Sequence, residues 1–506
     1  MPGNCPYFEK STNSLSSSSV TSCELRQQEV IFFESDPMSL TQLFAQTLLD
    51  LAYEAELPPA QAIATSLLID GIAVGALGAG QRGPRILAGL ALEQQGAQIA
   101  TLLGQSRRVT PAEAARVNGA AMHVLDYEPM WNPANHSLST TLPAVLACAE
   151  MLGRRDHPGP VPDGKTLLAA LVLGIEAQQR MRMASGQLEP GLLMFHPPGA
   201  VGALGSAIAC GFLLGLNLDQ FTHALGIAAS RAAGVQSNVG SMTKALHCGQ
   251  AAMAGLESAL MASRGFTADR DALGGPRGYG RAFYGASFTP EILTAPHPLF
   301  VLDPGPAFKF FPSQYGTHFV ITAALAARRA WWSGCIDAPA AASIESVEIT
   351  VPPMPYVDRP LPATGLDGKF SFQYVAAIAI LDDRVDVASF TDDRRKATDV
   401  QDLLARIRIS ADPTRQGRFD RMCADVRIRS SDGRESFSTC DGPPGIWGRA
   451  ADSDVLAGKA LDCLCGLYTA DHARKIVTRA RDFGAMEGAA VLDFLSALGP
   501  QAELKS

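Results

Sequence analysis

From about residue 39 to 300, apolar residues recur at three- and four-residue spacing, the pattern of helices packed on a shared core. In TLPAVLACAEML, residues 141–152, Leu142, Val145, Leu146, Ala149 and Leu152 fall on one face. Thr110-Pro111-Ala112-Glu113 reads as a helix start, with threonine as cap and proline in the first turn. After the glycine-rich connector at 274–285 the pattern changes. SIESVEIT (343–350) alternates like a half-buried strand, and so do LLARIRIS (403–410) and CADVRIRSSDGRESFST (423–439). Asp432-Gly433 splits the last run as a hairpin turn would. SFQYVAAIAILDD (371–383) reads as a helix between strands, and 453–497 returns to helical spacing.

The pattern predicts a mainly α protein with a second, smaller α/β domain. A disordered Ser-rich tail is expected over 1–38, a large helical domain over 39–300 and the α/β domain over 301–450. Helices over 451–506 are expected to pack back on the helical domain. A chain of 506 residues exceeds what one core usually supports. Its wealth of Ala, Gly and Leu favours closely packed helices over a β-sandwich. The apolar stretches 61–80 and 199–218 approach the length of a membrane span. Asp70 interrupts the first and small residues fill the second, so both are read as buried core helices, with no membrane partner. The tail lacks the apolar run of a signal peptide and the arginines of a transit peptide.

A net charge of −8 leaves no basic footprint and argues against nucleic acid as a partner. Ten cysteines show neither CxxC nor zinc-type spacing, and read as reduced thiols in the cytoplasm or a mitochondrion. GAGQRG (78–83) spells a dinucleotide fingerprint, but helical residues precede it and Gln98 stands where an acid is needed, so no nucleotide is expected.

Chemistry concentrates in MHVLDYEPMWNPANHSLSTTLPA (122–144), which sets His123, His136, Asp126, Glu128, Tyr127 and Trp131 between apolar helical stretches. An irregular polar break inside a helical domain must find new partners for its backbone groups, so it marks a candidate site. Lys244, in GSMTKALHCG, lies beside small residues ahead of an apolar helix, where lost solvation lowers a lysine's pKa toward useful values. His247, three residues on, reads as structural. His123 with Asp126 and His136 makes too small a donor set to assign a metal.

This segment belongs to a series: LLIDGIAVGALGAG (67–80), NGAAMHVLDYE (118–128), FHPPGAVGALGSAIACGFLLGL (195–216), GSMTKALHCGQAAMAGLESALMASRGF (240–266), AFKFFP (307–312) and PYVDRPLP…KFSFQYVAA (355–377). The series resembles the MmgE/PrpD family of 2-methylcitrate dehydratases, cis-aconitate decarboxylases and an iminodisuccinate epimerase, over roughly residues 40–500. The resemblance implies chemistry at a carbon beside a carboxylate, where fixed positive charge must steady a carbanion-like intermediate. It implies catalytic roles for Asp126, His136, Lys244 and Tyr356, with His136 as the favoured proton carrier. Lys309 and Tyr356 match positions lining the family's site, which would then lie between the domains. Arg359 either pins a substrate carboxylate or braces its loop. His196 stands at a helix start, where free amides favour anions, or serves as a cap.

Three positions depart from the decarboxylases that the chain resembles: Met130, Met183 and Gln314 replace groups that carry charge or a hydroxyl. Thioethers suit irregular apolar surface, so Met130 and Met183 are expected to contact a substrate's alkyl group. The favoured expectation is a cofactor-free, metal-free lyase that dehydrates a 2-alkylcitrate or 2-methylcitrate, working as a homodimer, as the resemblance implies. Decarboxylation of cis-aconitate to itaconate, epimerisation of a dicarboxylate such as iminodisuccinate, and a non-catalytic binding role are the alternatives. The last conflicts with an intact set of Asp126, His136, Lys244, Lys309 and Tyr356.

Overall fold

Helix boundaries follow from local capping chemistry. In a computed structural model that describes residues 37–154, 159–189, 193–332, 343–449 and 451–499, α1 (Leu40–Asp50) opens with a reciprocal Ser39/Gln42 capping box. Then come α2 (Pro58–Ala79), α3 (Arg82–Glu93), a two-stranded ribbon of β1 (Ala100–Thr101) and β2 (Arg108–Val109), and α4 (Pro111–Val124). Thr110 caps α4 through the Glu113 amide and Pro111 occupies its first turn, as the sequence predicts. Five further helices build the large layer: α5 (Ser137–Leu152), α6 (Gly164–Ala184), α7 (Pro197–Leu213), α8 (Leu218–Ala229) and α9 (Met242–Ser263). Nearly all of the 1–38 tail lies outside the described residues.

Small residues let these helices close on one another. A Cβ on Gly249 of α9 would stand 2.0 Å from the Arg116 carbonyl of α4, so the two backbones touch there. That crossing brings the end of α4 to the start of α9. α2 is long and apolar enough to cross a membrane, yet 67% of its apolar window is buried in the core. GAGQRG is the turn from α2 into α3, a helix-to-helix junction with no preceding strand. All seven cysteines described are free thiols.

The second layer begins with α10 (Tyr315–Trp332) and β3 (Ile344–Val351), followed by α11 (Phe372–Asp382), α12 (Thr398–Leu404), β4 (Ile407–Ala411), β5 (Ala424–Ser430) and β6 (Glu435–Cys440). Strand order is β4-β3-β5-β6, with β3 and β4 parallel and the other pairs antiparallel. Gly433, at φ +84°, takes the left-handed turn position between β5 and β6. Reading 403–410 as one strand needs correction. Leu403 and Leu404 end α12, and the strand starts at Ile407.

Two apolar cores result. One runs through the large helical layer and includes Leu456 of α13 (Ser453–Cys465), Ile476 of α14 (Ala470–Arg481) and Phe494 of α15 (Gly488–Ala497). The other gathers Phe319, Ile349, Ile378 and Val426 beneath the small sheet. Met130, from the helical layer's loop, belongs to the second core and pairs through its backbone with Ala307 at 3.0 and 2.7 Å. The loop after α4 is thus stitched between the cores.

Candidate active site

α4 stops at Leu125, and Asp126 turns out of it with φ +53°, a left-handed conformation that a short polar side chain tolerates. Three lysines converge on this turn. Lys244, in the first turn of α9, reaches Asp126 Oδ2 at 2.6 Å. Lys309 pairs with the other carboxylate oxygen and donates to the Asp126 carbonyl at 3.0 Å. Lys369, just before α11, donates to the Leu125 carbonyl at 2.6 Å. The carbonyl end of a helix favours cations, and here they arrive from three parts of the chain. Burial alone would raise the Asp126 carboxyl, but Lys244 and Lys309 overcome it and hold the group well below the usual range. Burial pulls Lys369 down to about 7.

Behind the turn, His123 of α4 and His136, at the start of α5, flank Glu128. His123 Nδ1 bonds Glu128 Oε1, and His136 Nδ1 lies 3.1 Å from the same oxygen. Ser139 donates to it at 3.2 Å. His136 Nε2 looks the other way, 3.8 Å from Asp126 Oδ1. Burial lowers His123 to about 4 and also lowers His136, while burial and Lys244 hold His196 well below the usual range. Neutral imidazoles around an ionised Glu128 follow. His123, Glu128 and His136 place potential metal-ligand atoms within 4.8 Å of one another. Both histidines turn Nδ1 toward the same carboxylate oxygen, and His123 is the one aligned to bond it.

A narrow cleft with a cavity volume of about 70 Å³ opens in front of this cluster. Asp126, His136, His196, Gln236 and Lys244 line it from the helical layer; Gln314, Tyr315, Tyr356, Phe370 and Phe419 line it from the smaller one. Met130, Leu193 and Val239 add an apolar wall. Gln314 Nε2 donates to the Tyr356 hydroxyl at 3.0 Å, and burial pushes that phenol up. His196 precedes α7 without capping it through its side chain, which leaves the ring to the cleft. Asp126 is the one carboxylate among the described residues lining this space.

Seven of the ten expected site residues therefore meet here: Asp126, His136, Lys244, Tyr356, Met130, His196 and Gln314. Three expectations need correction. Lys309 is fully buried behind Asp126, and its charge acts on that carboxylate instead of on the cleft. Arg359 pairs with Asp367 and donates to the Tyr356 carbonyl at 2.9 Å, so it braces the loop. Met183 is half-buried on α6 and absent from the lining. His247 sits beside His196, its Nδ1 3.3 Å from the neighbour's. Sequence reasoning named Glu128 without giving it a role and passed over Lys369. The cue for Glu128 was its position five residues after His123.

The profile for the MmgE/PrpD N-terminal domain matches residues 42–291, and that for the MmgE/PrpD C-terminal domain matches 311–482. The chain is 33% identical over 387 residues to the cis-aconitate decarboxylase of Mus musculus, covering 76% of this chain and 78% of that one. Similarity to the Homo sapiens cis-aconitate decarboxylase is 31% over 390 residues, 77% and 80% of the two chains. The cis-aconitate decarboxylase of Aspergillus terreus is 34% identical over 223 residues, 42% and 43% of the two chains.

Proposed function

The chain belongs to the MmgE/PrpD family, and within it we propose a carboxy-lyase that removes CO2 from cis-aconitate or a close analogue. This reading displaces dehydration of an alkylcitrate as the favoured one. Similarity to cis-aconitate decarboxylases across three quarters of the chain supports it. The observation that carries it is the state of Asp126. Dehydration needs a base to take a proton from carbon and an acid for the departing hydroxyl. The one carboxylate among the described residues lining the cleft is paired with Lys244 and Lys309, which hold it well below the usual range, and this leaves His136 to act as base or as acid but not as both. Decarboxylation asks for less. The C–C bond to one carboxylate breaks, CO2 leaves, and the electron pair left on carbon takes up one proton, which His136 Nε2 is placed to deliver.

Lys244 supplies the fixed charge that steadies the carbanion-like intermediate. A trianionic substrate also favours protonation of His136, so its own arrival loads the acid. Purified protein incubated with cis-aconitate should release CO2 in step with appearance of an unsaturated dicarboxylate by proton NMR, taking up one proton per turnover. Water loss from 2-methylcitrate without CO2 release from cis-aconitate would overturn this reading. The apolar wall of Met130, Leu193 and Val239 favours a second reading, a substrate that carries an alkyl substituent. Each buried methylene is worth about 0.8 kcal/mol, so kcat/KM should then rise about fourfold per carbon across alkyl-substituted analogues.

A further inference from the structure

Glu128 takes no part in the cleft, yet everything about it concerns His136. It is fully buried, it accepts from His123 and from Ser139, and its Oε1 lies 3.1 Å from His136 Nδ1. Its second oxygen and His136 Nδ1 are both buried without an aligned hydrogen-bond partner among the described residues. Unmet buried polar atoms are costly, so the proton on the His136 ring has a preferred place. With hydrogen on Nδ1, the ring turns a donor toward the anionic Glu128, whose Oε1 is 3.1 Å away, and the charge favours that placement. With hydrogen on Nε2, two bare acceptors face each other in a buried space. His123 cannot substitute, because its own Nδ1 already serves Glu128.

We propose that Glu128 is the positioning residue of the reaction: anchored by His123 and Ser139, it fixes His136 as the Nδ1–H tautomer. The bare Nε2 then faces Asp126 and the cleft. A proton taken up on substrate binding can go only to Nε2, the atom from which it is passed to carbon. After delivery the ring returns to the Nδ1–H form, ready for the next turnover without turning over. The carboxylate that holds an imidazole in its working tautomer in serine hydrolases acts by the same logic. Glu128 also raises the affinity of His136 for that proton, through charge and hydrogen bonding.

This inference rests on His136 as the proton carrier, but its first test needs no substrate. Nitrogen-15 NMR of histidine-labelled wild-type protein near pH 7.5 should show a protonated Nδ1 and a bare Nε2 for His136, assigned by comparison with His136→Gln. A neutral Nε2–H form would overturn the proposal whatever reaction the enzyme performs. Glu128→Gln keeps the shape and removes the charge. It should lower kcat by about 10²-fold with KM within about threefold. Loss of the nearby anion lowers the His136 pKa, so the fall of kcat with rising pH should begin at least one pH unit lower. Glu128→Asp should recover much of kcat. Should Glu128→Gln not fold, the wild-type NMR carries the test. Wild-type kcat and pH profile in folded Glu128→Gln would reduce Glu128 to a structural role.

Discussion

Lys244 stands at the junction of the two jobs its site has, pairing Asp126 and facing the cleft. Lys309 also neutralises Asp126 but is sealed from the cleft, so the two cations are not equivalent. Lys244→Met should therefore lose about 10²-fold or more in kcat, the scale of a single lost electrostatic donor. The carboxylate keeps Lys309, so the fold should persist, with a melting temperature within a few degrees of wild type. Near wild-type turnover would remove Lys244 from the mechanism. Asp126, His136 and Lys244 were legible because each sits in a motif whose letters carry chemistry. Glu128 carried only the cue of its spacing from His123, since its role depends on how the turn folds His136 and Ser139 around it, and Lys369 carried none, because its partner is distant. Lys369 lies 244 residues from the carbonyl it holds.

At the scale of elements, the crossing of α4 and α9 sets the distance between Asp126 and Lys244. Gly119 and Gly249 face one another there, with Gly249 against the Arg116 backbone. A backbone carbonyl cannot step aside as a flexible side chain can. Gly249→Ala should cost about 1–3 kcal/mol by forcing the helices apart, and kcat should fall because Lys244 moves with α9. Gly458 in α13 is the control, since an added Cβ meets nothing within 4 Å. Alanine there should be neutral or gain up to about 1 kcal/mol. Urea unfolding of both variants checks the contrast, and equal stabilities would refute it. Helical periodicity revealed that these segments are helices, but not which glycines touch. The run at 403–410 failed for a related reason: two leucines suit a helix end as well as a strand, and packing against the small core decides.

Across the whole molecule, the C-terminal helices reach the Asp126 turn through a buried pair. Lys459 of α13 meets Asp70 of α2 at 2.7 Å, donates to the Tyr127 carbonyl at 2.9 Å and sits 4.0 Å from the centre of the Tyr127 ring. Tyr127 lies between Asp126 and Glu128, so a helix 332 residues downstream steadies the turn that carries both acids. Periodicity showed a helix at 453–465; nothing in it named the turn that Lys459 would brace. Burial raises the Asp70 carboxyl despite Lys459, and Asp70 Oδ1 has no hydrogen-bond partner among the described residues, so the pair is costly to bury. Breaking it should be costlier still. Lys459→Met strands a buried acid and should destabilise the protein by about 3–5 kcal/mol. Asp70→Leu combined with Lys459→Met removes both charges and should regain most of that stability. Activity should not return in step, because the Tyr127 carbonyl still lacks its donor. Urea midpoints and kcat for the single and double variants separate the two effects. A double variant with full kcat would show that the C-terminal helices serve stability alone, and one as unstable as Lys459→Met would show that packing, not the stranded charge, sets the cost.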